Sequence, residues 1–152
     1  MTHYGQVTAQ EAEKKVKTVI TSKEMASEND KGMMRFSGNV ELIHGDLYMK
    51  SDEMEVYSDE TKKKLIKIIA TGNVLITKGE RVISCNRAEL FADEEKIIMT
   101  GNPEVTEKGN RIAGEKIIYF YAKEGIIVHG GNGKKASVHI IPSEKSEGTG
   151  ER

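Results

Sequence analysis

Apolar residues along the middle of the chain fall on alternate positions. Three glycines, Gly38, Gly72 and Gly101, are each preceded by an in-phase pair: Met34 and Phe36, Ile68 and Ala70, Ile97 and Met99. Each is followed by another: Val40 and Leu42, Val74 and Ile76, Pro103 and Val105. A third set comes further on, Met54 and Val56, Ala88 and Leu90, Ile117 and Tyr119, and Ile126 and Val128 stand before Gly130. A period of two belongs to a β-strand, whose successive side chains leave opposite faces. These residues are therefore the candidates for one inward face. Few windows between Ile20 and Ile141 keep a helical period, so the span is read as almost wholly β, with about a dozen strands.

The alternation is organised as a repeat. Counting from each first glycine as position zero, Asn39, Asn73 and Asn102 follow at one, and Gly45, Gly79 and Gly109 come at seven or eight. A small residue (Ser51, Cys85, Gly114) stands at thirteen, a polar one (Asp52, Asn86, Glu115) at fourteen and an aromatic (Tyr57, Phe91, Phe120) at nineteen. Copies recur at 34 and then 29 residues, the longer interval carrying an insertion in "SDETKKK", and Gly130 opens a truncated fourth copy. A degenerate copy covers Ile20 to Gly38. The Gly-Asn pairs and the second glycines suit turns or bulges with positive φ, and "SDETKKK", "ADEEK" and "YAKEG" read as polar hairpin connections. Pro103 cannot donate to a ladder, so its strand is expected to be frayed or at an edge. Repeats of this kind build a surface more readily than a reaction centre.

The flanks differ in kind. Residues 1–18 include "TAQEAEKKVKT", with capping-box spacing from Thr8 to Glu11 but no apolar face, which leaves a flexible arm or a short helix. Residues 143–152, "SEKSEGTGER", have the composition of a disordered tail. One domain, 19–142, is expected between them, since a 152-residue chain can bury roughly two thirds of its unfolded surface.

Composition narrows the chemistry. With 23 Lys and Arg against 24 Asp and Glu, nothing global steers the protein to nucleic acid. The longest apolar run falls far short of a membrane-spanning helix. The single cysteine, Cys85, excludes an intrachain disulfide and a cysteine zinc site, and its place at the small-residue position marks it as packed. The start of the chain lacks a basic region followed by an apolar run, so no secretory signal is read in it, and a signal removed earlier fits equally. His3, His44, His129 and His139 show no paired metal-ligand spacing, so neither a metal nor a cofactor is expected. The carboxylates gather in turns or on the polar phase, where a glycosidase pair would not form, and "HGGNGKK" lacks the Ser/Thr and helix of a phosphate loop. No catalytic residue is identified. One compact basic cluster stands out, Lys62, Lys63, Lys64 and Lys67, either a solvated loop that guards against aggregation or a site for anionic head groups.

The stretches "FSGNVELIHGDLYMKSDEMEV", "TGNVLITKGERVISCNRAEL" and "MTGNPEVTEKGNRIAGEKIIYF", with "KASVHIIPSE" after them, resemble the LptA/OstA family of lipopolysaccharide-transport proteins over about Val16 to Lys145. The resemblance implies an open, twisted β-jelly roll in the periplasm, with no catalytic residues. It implies lipopolysaccharide as cargo, its lipid A acyl chains held in a hydrophobic groove. It further implies copies stacked head to tail through edge strands, and LptC-like inner-membrane and LptD-like outer-membrane partners. An LptC-like or LptD N-terminal-like domain of the same pathway fits too, as does a β-scaffold that only polymerises. The groove lining expected on this basis is Met34, Phe36, Val40, Leu42, Met49, Met54, Val56, Ala70, Val74, Ile76, Ile83, Leu90, Ile97, Met99, Ile112, Ile117, Tyr119, Ile126 and Val128. Alternation alone favours a dry core, and the resemblance reverses that balance. A lipid slot and a packed interior make the same pattern.

Overall fold

The computed structural model describes residues 16–28, 32–59, 61, 63–133 and 135–140. Most of the expected arm, the tail and Lys62 lie outside the described residues. Twelve strands, all paired antiparallel, make up the described chain: β1 (Thr18–Thr21), β2 (Glu24–Glu28), β3 (Met33–His44), β4 (Leu47–Asp59), β5 (Lys64–Lys78), β6 (Arg81–Phe91), β7 (Lys96–Thr100), β8 (Glu104–Glu107), β9 (Asn110–Ala113), β10 (Lys116–Phe120), β11 (Gly125–His129) and β12 (Ser137–His139). The first strand starts inside the segment read as an arm.

The long strands β3, β4, β5 and β6 form the spine, and the sheet forks on either side of it. The first half of β3 pairs with β2 and its second half with β1. At the other end β6 pairs with β8 through Arg81–Ser84 and with β7 through Arg87–Phe91. From there one branch runs β8, β9, β12 and the other β7, β10, β11. The result is one sheet bent into two leaves. The first leaf holds β1, β8, β9, β12 and the spine's hairpins at Gly45 and Gly79, and the second holds β2, β7, β10, β11 and the remaining spine halves. Because the sheet, among the described residues, neither closes nor is capped, it is an open all-β jelly roll.

The bend follows a line written in the repeat. Ladder register slips between Ser37 and Val40, between Lys50 and Glu53, and between Thr71 and Val74. At each slip a Gly-Asn pair takes positive φ: Gly38 and Asn39 at 87° and 46°, Gly72 and Asn73 at 85° and 47°, and Gly101 and Asn102 at 80° and 55° where β7 gives way to β8. Such paired left-handed residues bulge a strand and turn it sharply. The polar residue at fourteen explains why the first of each pair is glycine. A Cβ on Gly72 would stand 2.5 Å from Asp52 Oδ2, and one on Gly101 would stand 2.5 Å from Asn86 Cβ. Asp52 also accepts a hydrogen bond from Asn73 Nδ2 at 3.0 Å. Each copy is thus locked to the next across the bend. The same contact pairs Glu115 with Gly131, so Gly131, one residue after the glycine expected, plays the part in the fourth copy. The small residues at thirteen, Ser51, Cys85 and Gly114, are all buried beside this line.

Two local expectations are corrected. Pro103 does not put its strand at an edge, since β8 pairs with both β6 and β9. The proline sits just before Glu104, the first ladder residue, where no N–H is required. The insertion is not all connection either: Ser58 and Asp59 belong to β4, and Lys64 and Lys67 to β5. It lengthens a hairpin, with one register slip between Tyr57 and Ser58 absorbing the extra residue.

Replacing Gly101 by Ala combines a left-handed backbone with a close contact to Asn86, whereas at Gly79, φ 62°, no atom lies within 4 Å of the added carbon. Urea denaturation should therefore show a loss of about 1 kcal/mol for Gly79→Ala and about 3 kcal/mol or more for Gly101→Ala. Equal losses would contradict a sterically fixed bend.

Candidate functional site

The bend closes one long side of the roll and leaves the opposite side as a seam, where the hairpin tips of the two leaves meet. Strand alternation sends Tyr119 and Tyr121 inward at the end of β10, and the turn that follows places Glu124 over the tips of the first leaf. Glu124 pairs with Lys78 and, at 3.3 Å, with Arg81, and it accepts a hydrogen bond from Tyr119 Oη at 3.0 Å. Arg81 also lies over the Tyr119 ring, 5.2 Å from its centroid. The hydrogen bond from Lys78 is the main reason the Glu124 carboxyl is held below the ordinary carboxylate range. Further along the seam, His44 from the end of β3 meets the Tyr121 ring edge to face, with centroids 6.0 Å apart. Thr18 Oγ1 and His44 Nδ1 are 2.8 Å apart, tying β1 to the same corner. The leaves are therefore clasped by one ion-pair cluster and one aromatic contact.

Behind the clasp lies the inner face. Phe36, Val40, Leu42, Met49, Met54, Val56, Ala70, Val74, Ile76, Ile83, Leu90, Ile97, Met99, Ile117 and Tyr119 all belong to one buried cluster, most of them with no exposed surface. Met34, Ile112, Ile126 and Val128 pack against that cluster but are only partly buried. The first of these adjoins the β2 edge, and the other three belong to the β9 and β11 side. The candidate lining residues are thus together on one surface, and that surface is packed shut in its middle.

Two hollows open at the seam. One, of about 440 Å³, is lined by Val16, Thr18, His44, Lys63, Lys64, Leu65, Ala92, Asp93, Glu95 and Tyr121. The other, of about 370 Å³, is a shallower trough over Met34, Val56 and Leu65, with Ser58, Asp59, Lys63 and Lys64 at its rim. They share Lys63, Lys64 and Leu65, so they form a continuous recess. The basic cluster is divided by this geometry. Lys63 and Lys64 stand at the recess, Lys64 paired with Asp93 at 2.9 Å. Lys67 points to the outer face, its Nζ 5.0 Å from the Tyr57 ring centroid. There it joins a cross-strand row running Tyr57, Lys67, Phe91, Lys96, Phe120, which collects the three aromatics at repeat position nineteen.

Other candidate chemistry is quiet. Burial pushes the Cys85 thiol up to about 12, which makes it a packed side chain and a poor nucleophile. Among the described residues, no three His, Cys, Asp or Glu side chains gather as they would around a metal ion, and no helix is long and apolar enough to cross a membrane. The clasp residues Lys78, Arg81 and Glu124 are not legible as a group, because Glu124 lies 43 or more positions from the other two across the roll. Tyr121 carries a signal in the sequence, since it continues the inward phase of Ile117 and Tyr119 into what reads as a polar turn.

A family model described as LptA/(LptD N-terminal domain) LPS transport protein matches residues 19–125. Among solved structures, LptH, the LptA-homologous periplasmic component of the conserved lipopolysaccharide transport device from Pseudomonas aeruginosa, is similar with a TM-score of 0.75. The identity is 14%, and the match covers 83% of this chain and 96% of that one. At that identity the likeness is one of fold. No curated protein matches the chain in sequence.

His44 supplies a pH test of the seam. Burial lowers its pKa below 6.5, outweighing the opposing pull of Glu95. The unfolded chain therefore binds the proton more readily, so this contribution to stability is complete above 6.5 and is lost as pH falls from there toward the folded pKa. Denaturation midpoints measured from pH 7.5 down to 5 should fall for the wild type and fall less for His44→Gln. Parallel curves would contradict the burial of a neutral imidazole in the seam.

Proposed function

The chain belongs to the LptA/LptD N-terminal-domain family of lipopolysaccharide-transport proteins, and we propose that it carries lipopolysaccharide, holding lipid A acyl chains between the two leaves and passing them along copies joined edge to edge. The observation that carries this reading is that, among the described residues, no element caps either end of the roll. The strands β1 and β2 each pair only with β3, β11 only with β10, and β12 only with β9. Each of these edges offers backbone groups that another strand can take up. Joining unlike edges is a head-to-tail contact, and nothing in it forces closure. Partly exposed apolar side chains, Ile20 and Met34 at one end and Ile112, Ile126 and Val128 at the other, would then continue the interior from copy to copy.

Acyl chains gain about 0.8 kcal/mol for each CH₂ they bury. Because the middle of the inner face is packed, uptake requires the leaves to part along the seam, where the contacts are few and polar. Met34, Met49, Met54 and Met99 suit a surface that re-forms around variable chains, since unbranched thioethers adapt to irregular shapes. Lys63 and Lys64, beside Lys62 in sequence, are placed to meet anionic groups at the recess, while Lys67 is engaged on the outer face. We place the protein in the periplasm, where LptH works, between LptC-like and LptD-like partners. An LptD N-terminal-like domain would use the same seam and edges in the same way.

Purified protein should bind lipopolysaccharide, and Met34→Glu combined with Leu65→Glu should weaken binding by tenfold or more. Both positions are partly exposed, so circular dichroism should remain that of the folded sheet, whereas Ile76→Asp buries a lone carboxylate and should unfold it. No binding by the wild type, or none of that loss in the folded variant, overturns the reading. Filaments formed without lipid binding would favour the polymerising scaffold instead. Association should in turn depend on the edges. Ile127→Lys with Val138→Lys, at positions 45% and 56% exposed, should shift sedimentation toward the monomer, and unchanged association would rule out strand addition there.

A further inference from the structure

The outer face of the second leaf holds more than its aromatic row. Three cross-strand rows run over its eight strands, from β2 through β3, β4, β5, β6, β7 and β10 to β11. Charge is segregated along these rows. Over β2, β3 and β4 they carry Glu24, Glu28, Glu53 and Glu55 against one cation, Arg35. From β5 to β11 they carry Lys67, Arg87, Lys96 and Lys116 against one carboxylate, Glu89. Pairing within the face removes only part of this charge. Arg35 holds Glu55 at 3.2 Å, Arg87 holds Glu89 at 2.9 Å, and Lys96 reaches Glu94 of the adjoining turn at 3.5 Å. Among the described residues, Glu24, Glu28 and Glu53 on one half and Lys67 and Lys116 on the other have no ion-pair partner.

Apolar surface lies beside these charges. Ile69, Ile98, Ile118 and Ile127 share one row and Phe91 and Phe120 the next, Ile127 exposed and the others half-buried. Lys67 and Lys96 lie over the Tyr57 and Phe91 rings, 5.0 and 5.7 Å from their centroids. Side chains already held flat lose little freedom when something covers them. Strand spacing and rise give a face of roughly 600 Å², so covering it with a like face hides about 1,200 Å², the low end for a specific interface.

The two charged halves decide what fits. A bilayer of anionic head groups would attract the β5–β11 half and be repelled by the β2–β4 half. An acidic peptide on the basic half would leave the three free glutamates unmet. The face itself supplies the complement, the same two halves in reverse order. A two-fold axis parallel to the strands, between β5 and β6, sets β4 of one copy over β7 of the other, β3 over β10 and β2 over β11. Lys116 of one copy then stands over Ser37 of the other, between its Glu24 and Glu53, which flank Ser37 in the same row. Lys67 stands over Phe91.

We propose that this face docks a second copy of the chain, the two packed outer face to outer face about that axis. The contact is isologous and closed, and it uses neither the inner face nor the backbone groups of the edges. It therefore goes beyond the carrier role and does not depend on it. In copies joined by their edges, it sets two such rows side by side.

The test is sedimentation of the purified chain carrying Lys116→Glu, and separately of one carrying Glu24→Lys with Glu53→Lys. Each variant meets like charge with like, so the dimer dissociation constant should rise about tenfold or more, with circular dichroism unchanged. An equimolar mixture restores every opposite pair. Fluorescence transfer between the separately labelled variants should show unlike copies pairing within about threefold of the wild-type affinity. A wild type that does not dimerise, undiminished association of each variant alone, or unlike copies pairing no better than like ones each overturn the face-to-face pair. Edge joining gives the last two results, because it does not read these charges, and in that case the carrier role stands. Binding of the wild type to phosphatidylglycerol vesicles, lost in Lys116→Glu and with no preference for unlike copies, makes the face a membrane contact and also overturns the pair. Unlike copies that pair while lipopolysaccharide fails to bind leave the pair standing and the carrier role fallen.

Discussion

One sheet with one apolar face has to hide that face, and this molecule does so by folding the sheet onto itself. The Gly-Asn pairs set the fold line, and the polar residue of the preceding copy, packed against each glycine, leaves no room for a side chain there. From that constraint the rest follows. Strands must be long enough to cross the line, so the spine strands reach eleven to fifteen residues. Strands outside the spine can be short, because each needs to serve only one leaf. The interior is then a single cluster shared by both leaves, bounded by a bend on one side and a seam on the other.

Bend and seam differ in kind, and that asymmetry gives the fold a direction in which to open. Along the bend the chain is continuous and the ladders run through, so separating the leaves there would break backbone structure. Along the seam the leaves are joined by side chains: Glu124 with Lys78, Arg81 and Tyr119, and Tyr121 against His44. Glu124 is half exposed, its side chain 48% accessible, and ion pairs of that kind contribute at most about 1 kcal/mol. A roll held this way can be closed when empty and still yield to a chain that buries many methylenes. In the proposed carrier, the edges left unpaired among the described residues would let the same interior extend beyond one molecule.

Much of this architecture is legible in the sequence because the repeat reports the bend directly. The alternation of Val40 and Leu42 or Met54 and Val56 identifies the inward face, and Gly-Asn followed at fourteen by Asp52 or Asn86 identifies the fold line. The closure of the interior is not legible, since a packed core and a lipid slot need the same apolar pattern. Nor are the seam contacts, which join turns far apart in the chain. Lys63 and Lys67 look equivalent in the sequence, yet Lys63 sits in the turn before β5 at the recess, and beyond a register slip Lys67 joins an outer aromatic row. Tyr121 resembles a turn residue until its neighbours show that its ring is buried.

The proposed carrier role depends on the leaves separating at the seam when cargo arrives. Asp46 and Lys123, both exposed, lie on opposite sides of it, at turns joined by Lys78 through Asp46 and Glu124. Spin labels on cysteines at these two positions report the gap by double electron–electron resonance, and the buried Cys85 stays unlabelled. The account predicts a short, narrow distance distribution in the empty protein that moves to longer distances when lipopolysaccharide is added. An unchanged distribution in protein saturated with lipopolysaccharide would contradict it.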